Sequence, residues 1–256
     1  MAADLFDLTG KVAVVTGGSR GLGRAMAAAF AEHGADVVIA SRKLDACEAT
    51  AREITAATGR RAVAVAFHAG HWEEADRLAD SVYAEFGRCD VLVNNAGMSP
   101  LYPSLTEVSE ELFDKVVGVN FKGPFRLSAL VGERMAAANG GSIINVSSIA
   151  AVQPTPNELV YAGAKAALNA MTVGLARAYA PRVRCNVLMP GPFLTDISKA
   201  WDMETFERAA AATIPLGRGG QPHEVVGAAL YLASAASSYT TGAVVKVDGG
   251  MAFSPA

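Results

Sequence analysis

The sequence has 256 residues, the size of one large α/β domain or two small ones, and it can bury a sizeable core. Hydrophobic residues make up 51% and charged residues 18%, which excludes an intrinsically disordered chain. A net charge of −3 with no long basic run argues against nucleic acid as the main partner, and no apolar run reaches the length of a membrane span.

Lys11–Thr16 is a short β-branched run that reads as a buried strand. Gly17, Gly18, Ser19, Arg20, Gly21, Leu22 and Gly23 follow at once. An Ala-rich helix is predicted over Arg24–His33, closed by Gly34, and a second strand over Asp36–Ala40. A strand, glycine turn, helix and strand within about thirty residues is the setting of dinucleotide binding. The glycines let the backbone approach a pyrophosphate, and the helix N-terminus offers it free N–H groups and a positive dipole end. A plain tight turn is the alternative.

The end of the second strand bears on the cofactor. An acid there suits the ribose 2′-hydroxyl of NAD, whereas arginine accommodates a 2′-phosphate through its planar fork. Ser41, Arg42 and Lys43 stand here with no acid, and Arg20 in the glycine turn is a second phosphate candidate. This predicts NADP (NADPH); otherwise Arg42 and Lys43 are solvated residues opening the next helix.

The alternation continues with a helix over Leu44–Thr58, a strand over Ala62–Phe67 and a helix over Trp72–Phe86. A strand over Val91–Asn94 runs into Asn95, Ala96 and Gly97. Helices over Glu107–Val119 and Phe121–Ala138 meet at Asn120, and Ser142–Ser147 is a buried strand. Pro154 and Pro156 interrupt the chain before a helix over Glu158–Ala180, for which Asn157 is the expected N-cap. A strand over Val183–Leu188 leads to a turn at Pro190, Gly191 and Pro192, then a short helical excursion over Asp196–Ala212. A helix over Gln221–Ala235 and a strand over Ala243–Val247 finish the pattern. Seven strands alternating with helices predict an α/β fold, a doubly wound parallel seven-stranded Rossmann-like sheet, in a single domain over 1–256.

Ser148 follows the fifth strand, Tyr161 lies thirteen positions later, and Lys165 four after that. Positions four apart share a helix face, so Tyr161 and Lys165 point at one spot. A free tyrosine, with a pKa of about 10, is a poor acid–base group at neutral pH; a nearby ammonium favours the phenolate. Bringing it near 7 needs about 4 kcal/mol, within reach of one close buried cation plus a cationic cofactor. With a serine hydroxyl holding the reacting oxygen, the trio suits proton transfer to a carbonyl. The Tyr-x-x-x-Lys pair alone is a weak signal, and a surface tyrosine beside a solvated lysine matches it too.

Taken together, these motifs resemble the short-chain dehydrogenase/reductase family over nearly the whole chain, its carrier-protein-linked 3-oxoacyl reductases included. Thr16–Gly23 resembles the cofactor turn, Asn94–Gly97 the motif after the fourth strand, and Pro190 and Gly191 with Thr195 the segment that meets the nicotinamide amide. The resemblance implies that Tyr161 is the general acid in reduction and the base in oxidation, and that Ser148 holds the substrate oxygen. Lys165 would lower the tyrosine pKa and bind the nicotinamide ribose. Asn120 would fix a water relaying protons to Lys165, or else merely brace a helix kink. Asn95, Ala96 and Gly97 would line the cofactor groove, with Asn94 bracing strands. Where the family often has an acid near the adenine, this chain has His68 and Ala69; His68 either meets the adenine or is a turn residue. The helix after Asn120 ends in Ala136, Ala137, Ala138 and Asn139, a neutral stretch where the ketoacyl reductases are basic. Arg126, Arg134 and Arg182 are the basic residues nearby.

The expected activity is NADPH-dependent interconversion of a ketone and a secondary alcohol, without a metal. A 3-oxoacyl-thioester reductase and a non-catalytic dinucleotide-binding sensor or scaffold are the rival readings. Loops Met98–Thr106, Ile149–Leu159 and Phe193–Thr213 would set the substrate. Their apolar residues suggest a neutral, moderately hydrophobic ketone or alcohol; Glu158 is the one charge that could face a polar group. Phe193–Met203 is the candidate lid. Three scattered cysteines, Cys47, Cys89 and Cys185, fit structural thiols in a cytoplasmic protein, and His33, His71 and His223 lack metal-ligand spacing. The N-terminus lacks a signal pattern, and the resemblance implies a homotetramer or homodimer.

Overall fold

The computed structural model describes residues 5–196, 198 and 201–252. Its strands are β1 (Val12–Thr16), β2 (Asp36–Ser41), β3 (Ala62–Ala66), β4 (Val91–Asn94), β5 (Gly141–Val146), β6 (Val183–Pro190) and β7 (Val244–Val247). All pair in parallel in the order β3-β2-β1-β4-β5-β6-β7. The chain builds outward from β1 to β3, then returns to the other side of β1 with β4. That reversal opens a crevice beyond the carboxyl ends of β1 and β4, where such sheets bind ligands. Every residue of β1 and β4 is buried, which explains continuous apolar runs rather than alternation.

Helices α1 (Gly21–Glu32), α2 (Leu44–Thr58), α3 (Trp72–Phe86), α4 (Glu110–Val117), α5 (Gly123–Ala137), α6 (Leu159–Ala178), α7 (Met203–Thr213) and α8 (Val226–Ala233) complete the chain. One core joins Met26 and Phe30 of α1 to Ile54 of α2 and to Ala229 and Leu232 of α8. The other joins Leu78 and Val82 of α3 to Leu127 and Val131 of α5 and Leu175 of α6. The segment Pro156–Ala178 has the length and mean hydropathy of a membrane span, but in this fold its apolar residues include Leu168 and Leu175, buried within the protein.

Four expectations change. Helix α1 starts at Gly21, so the glycine turn runs into the helix and Gly23 lies within its first turn. Asn157 is not an N-cap: it sits inside a 3₁₀ turn over Pro156–Glu158 capped by Thr155, and Glu158 is the N-cap of α6. The two helices expected to meet at Asn120 are joined without a break by a π-helical turn over Gly118–Lys122. The excursion expected over Asp196–Ala212 is helical from Met203, where Asp202 caps Thr205 N–H at 3.2 Å; Ile197, Lys199 and Ala200 lie outside the described residues.

A polar chain crosses this apolar interior. Asn94 Nδ2 donates to Ser128 Oγ and to Asn145 Oδ1, each at 2.8 Å, and Asn145 Nδ2 donates to Thr172 Oγ1 at 2.9 Å. Helix α5, strands β4 and β5 and helix α6 are thereby stitched together by groups 0–2% exposed. Each buried polar group is satisfied only while its partner stays. Asn145→Ala should therefore cost about 1–3 kcal/mol, read as a lowered urea midpoint at unchanged slope.

Candidate active site

The turn after β1 is shaped by its glycines. Gly17 has φ +65°, and a Cβ there would lie 2.8 Å from Asn95 Nδ2; one on Gly23 would lie 2.3 Å from the Gly17 carbonyl oxygen. Asn95 braces the turn by donating to the carbonyls of Thr16 (2.9 Å) and Gly17 (3.2 Å). Thr16 Oγ1 accepts from the N–H groups of Asn95 (3.0 Å) and Ala96 (3.1 Å), tying β1 to the loop after β4.

At Gly21, φ is +53° and a Cβ would meet only Thr195, at 3.5 Å. No side chain caps α1, whose N-cap is Arg20 in extended backbone, so its first N–H groups face the crevice unspent. This cradle, open at a bare helix N-terminus, fits a dinucleotide pyrophosphate. Leu22 is half-buried beside it. Thr195 closes the opposite wall; Gly191, just past the end of β6, is pressed so near Asp248 that a Cβ would come within 2.8 Å of its Cα.

At the end of β2, Ser19 Oγ and Ser41 Oγ are 2.9 Å apart. Arg20 and Arg42 are exposed, and among the described residues neither is held in an ion pair. The charge of Arg42 reaches His68, whose pKa is lowered by burial first, then by His71 and Arg42. His68 stacks on His71 with ring centroids 4.0 Å apart, and its Nδ1 accepts from Gly70 N–H at 3.2 Å. Neutral His68 thus carries its proton on Nε2. His71, expected at a helix end or on the surface, is the exposed N-cap of α3 and stacks on His68 from there. Ala69 is buried in the core, and its carbonyl faces Gly123 so closely that a Cβ there would lie 1.7 Å from it.

The chemistry-bearing residues converge at the carboxyl ends of β4 and β5. Ser148, in extended backbone just past β5, caps a 3₁₀ turn over Ile149–Ala151 by accepting from Ala150 N–H at 3.1 Å. Tyr161 and Lys165 share one face of α6, with Lys165 Nζ 5.7 Å from the phenol ring centre. Lys165 is 3% exposed, and Nζ donates to the Val146 carbonyl at 2.8 Å. Asn120 is fully buried in the π turn. Its Nδ2 donates to the carbonyls of Met98 (2.8 Å) and Val116 (2.9 Å), and its Oδ1 accepts from Met98 N–H at 3.3 Å. Gly97 marks the meeting point: a Cβ there would lie 3.0 Å from Asn120 Oδ1 and 3.6 Å from Lys165 Nζ.

Burial pushes the Tyr161 phenol up to about 12; the hydrogen-bonding Ser148 hydroxyl draws it part of the way back, and the Glu158 carboxylate raises it further. Burial alone brings the Lys165 ammonium down to about 8. The expectation that Lys165 draws Tyr161 toward neutrality is therefore not met by the protein's own groups. One of the three Lys165 N–H donors goes to the Val146 carbonyl, and desolvation of the phenol dominates. Tyr161 stands fully protonated at neutral pH, a hydrogen-bond donor aimed with Ser148 at the crevice. Glu158 accepts from Ser99 Oγ and Thr155 Oγ1, each at 3.2 Å, spanning the mouth from α6 to the loop after β4. Glu158→Gln should shift the basic limb of the pH–rate profile to lower pH, as removal of a like charge favours the phenolate.

The comparisons with known proteins agree with this geometry. A family model described as enoyl-(acyl carrier protein) reductase matches residues 17–252. A 3-oxoacyl-[acyl-carrier-protein] reductase of Chlamydia trachomatis is 36% identical over 246 residues, covering 96% of this chain and 98% of that protein. The L-rhamnose 1-dehydrogenase (NAD(P)(+)) of Azotobacter vinelandii is 39% identical over 251 residues, covering 95% and 97%. Among solved structures, L-sorbose reductase from Gluconobacter frateurii, complexed with NADPH and L-sorbose, superposes with a TM-score of 0.92 at 32% identity, covering 98% of this chain and 99% of that one. With a parallel seven-stranded sheet, a glycine cradle at its switch point and relatives of this kind along its whole length, the chain is an oxidoreductase that belongs to the short-chain dehydrogenase/reductase family.

Proposed function

We propose that the protein is an NADPH-dependent carbonyl reductase that interconverts a ketone and a secondary alcohol. The observation that carries this reading is the meeting of Asn120 and Lys165 at the open face of Gly97, with Tyr161 beside Lys165 on α6 and hydrogen-bonded to Ser148. A pure binder has little need of all four. When bound, the nicotinamide supplies the hydride and, once oxidised, a positive charge. The Tyr161 hydroxyl donates its proton to the substrate oxygen while the Ser148 hydroxyl holds that oxygen. Lys165, still charged at neutral pH, would hold the nicotinamide ribose hydroxyls and would stabilise the phenolate left behind. Asn120 keeps the floor of this site in place through its three backbone bonds and anchors a water that returns a proton to Lys165. With its pKa raised by burial, the phenol is present in its acid form at neutral pH, the form that reduction requires.

The preference for NADPH rests on Ser41, Arg42 and Arg20 at the place where an acid would select NADH. Arg42→Ala should lower kcat/KM for NADPH about 10- to 100-fold, the worth of one or two charge-assisted bonds, and leave NADH nearly unchanged. Steady-state oxidation of NADPH and NADH against an acetoacetyl thioester, a diketone, a cyclic ketone and a keto-sugar tests the whole reading. Turnover confined to the thioester would favour a 3-oxoacyl reductase instead, the activity of the chlamydial relative. Against that alternative, Arg126 and Arg134 on α5 are tied to Asp76 and Asp80 and offer no free patch to an acidic carrier. We read the protein as cytoplasmic and homo-oligomeric, a homotetramer or homodimer, with exposed Phe113, Phe125 and Val173 on α4, α5 and α6 as contact candidates; light scattering gives the assembly size.

A further inference from the structure

The adenosine end of the groove is supported from beneath by α2. Cys47 and Thr50 stand three residues apart on that helix, 0% and 4% exposed, and each reaches one of the two serines that face each other there. Cys47 Sγ lies 3.0 Å from Ser41 Oγ, and its S–H also points to the Ser41 carbonyl at 3.8 Å. Thr50 Oγ1 donates to the Ser19 carbonyl at 3.2 Å, across 31 residues of sequence. Ser41 Oγ and Ser19 Oγ then meet at 2.9 Å. The result is one continuous chain, thiol to hydroxyl to hydroxyl, ending at the glycine turn next to Arg20.

We infer that Cys47 and Thr50 are positioning residues for the adenosine 2′-phosphate. A phosphate dianion only accepts hydrogen bonds, so the serine pair serves it only if a hydroxyl proton points outward. A thiol is a weak acceptor and carries one proton. With its one proton turned to Ser41 Oγ, the nearer acceptor, rather than to the Ser41 carbonyl, the thiol sets one of the two polarities open to the chain: Ser41 gives its own proton to Ser19 Oγ, and the Ser19 O–H is left for the anion. Thr50 holds the Ser19 backbone so that this hydroxyl stays in register with Ser41. Arg20 and Arg42 supply charge; the α2 pair supplies direction. A ribose 2′-hydroxyl both donates and accepts, so it gains far less from a fixed polarity. The buried pair is thus a specificity device for NADP over NAD, and it rests on reading the chain as NADPH-dependent.

Calorimetric titration of NADP⁺ and NAD⁺ into the full protein tests this without turnover. Cys47→Ala and Thr50→Val should each weaken NADP⁺ about three- to tenfold, the size of one neutral hydrogen bond, with NAD⁺ almost unmoved. Cys47→Ser and Thr50→Ser, which keep a donor in place, should restore the ratio. Equal weakening of both cofactors, or an unchanged ratio with only a lower Tm, would show a purely structural role and overturn the inference. If the unmodified protein itself binds NAD⁺ more tightly, the NADPH reading fails first and takes the inference with it, before any variant is made.

Discussion

Tyr161→Phe is expected to lose about 10²- to 10⁴-fold in kcat while binding NADPH as tightly as the parent. The phenol is the proton donor hydrogen-bonded with Ser148, and phenylalanine keeps its ring, its packing and the face it shows to Lys165. Removing a single oxygen leaves the cradle at Gly17, Gly21 and Gly23 untouched. The loss should therefore fall on the chemical step and not on the ground-state complex, a drop in kcat with little change in cofactor Kd. Steady-state kinetics with a turned-over ketone, alongside titration of NADPH fluorescence, reads both quantities. Turnover at the parent rate would sink the assignment of Tyr161 as general acid. Joint loss of turnover and NADPH binding would instead assign the residue to the cofactor site.

Lys165→Met should change how stability depends on pH. An ammonium whose pKa falls from the 10.5 of a free lysine to about 8 is destabilising while it is charged. Below pH 8 both folded and unfolded chains hold the proton, and the full penalty applies. Between pH 8 and 10.5 the unfolded chain holds a proton that the folded one has released, so stability rises with pH. At about 1.4 kcal/mol per pH unit, the parent should gain about 3 kcal/mol relative to Lys165→Met across that window. Urea unfolding of both proteins at pH 7, 9 and 10 measures the difference, in which the other titrating groups cancel. A gap that stays constant with pH would mean that the lysine is not desolvated in the fold. The variant should also lose activity at every pH, because methionine cannot hold the ribose hydroxyls. A cation kept in the core at this cost is the expected mark of function traded against stability.

Much of this protein was legible before any coordinates. The alternation of β-branched runs with Ala-rich segments set the seven strands, because parallel strands buried on both faces must be continuously apolar. The glycine turn after Lys11–Thr16 and the four-residue spacing of Tyr161 and Lys165 pointed to a dinucleotide and to proton transfer. Helix periodicity and backbone sterics act over a few residues, and they show in a linear string. Boundaries failed where local preference met a tertiary demand. Glycine is a poor helix former, yet Gly21 and Gly23 open α1, since a Cβ on Gly23 would strike the Gly17 carbonyl.

What only the tertiary structure decided are the matters of partnership. Asn145 reads as one more strand residue until Asn94 and Thr172, 51 and 27 residues away, are found bonded to it. Cys47 reads as a core thiol until Ser41 folds back over it. The sign of the Tyr161 shift followed the same rule: sequence supplied a nearby cation, but the fold supplied the burial that outweighs it. The sequence by itself determined the architecture and pointed to the candidate cofactor cradle and the candidate reacting side chains, because spacing along the chain encodes them. The fold alone decided which polar groups are satisfied and how strongly each proton is held, because desolvation and long-range hydrogen bonds exist only once distant segments are packed together.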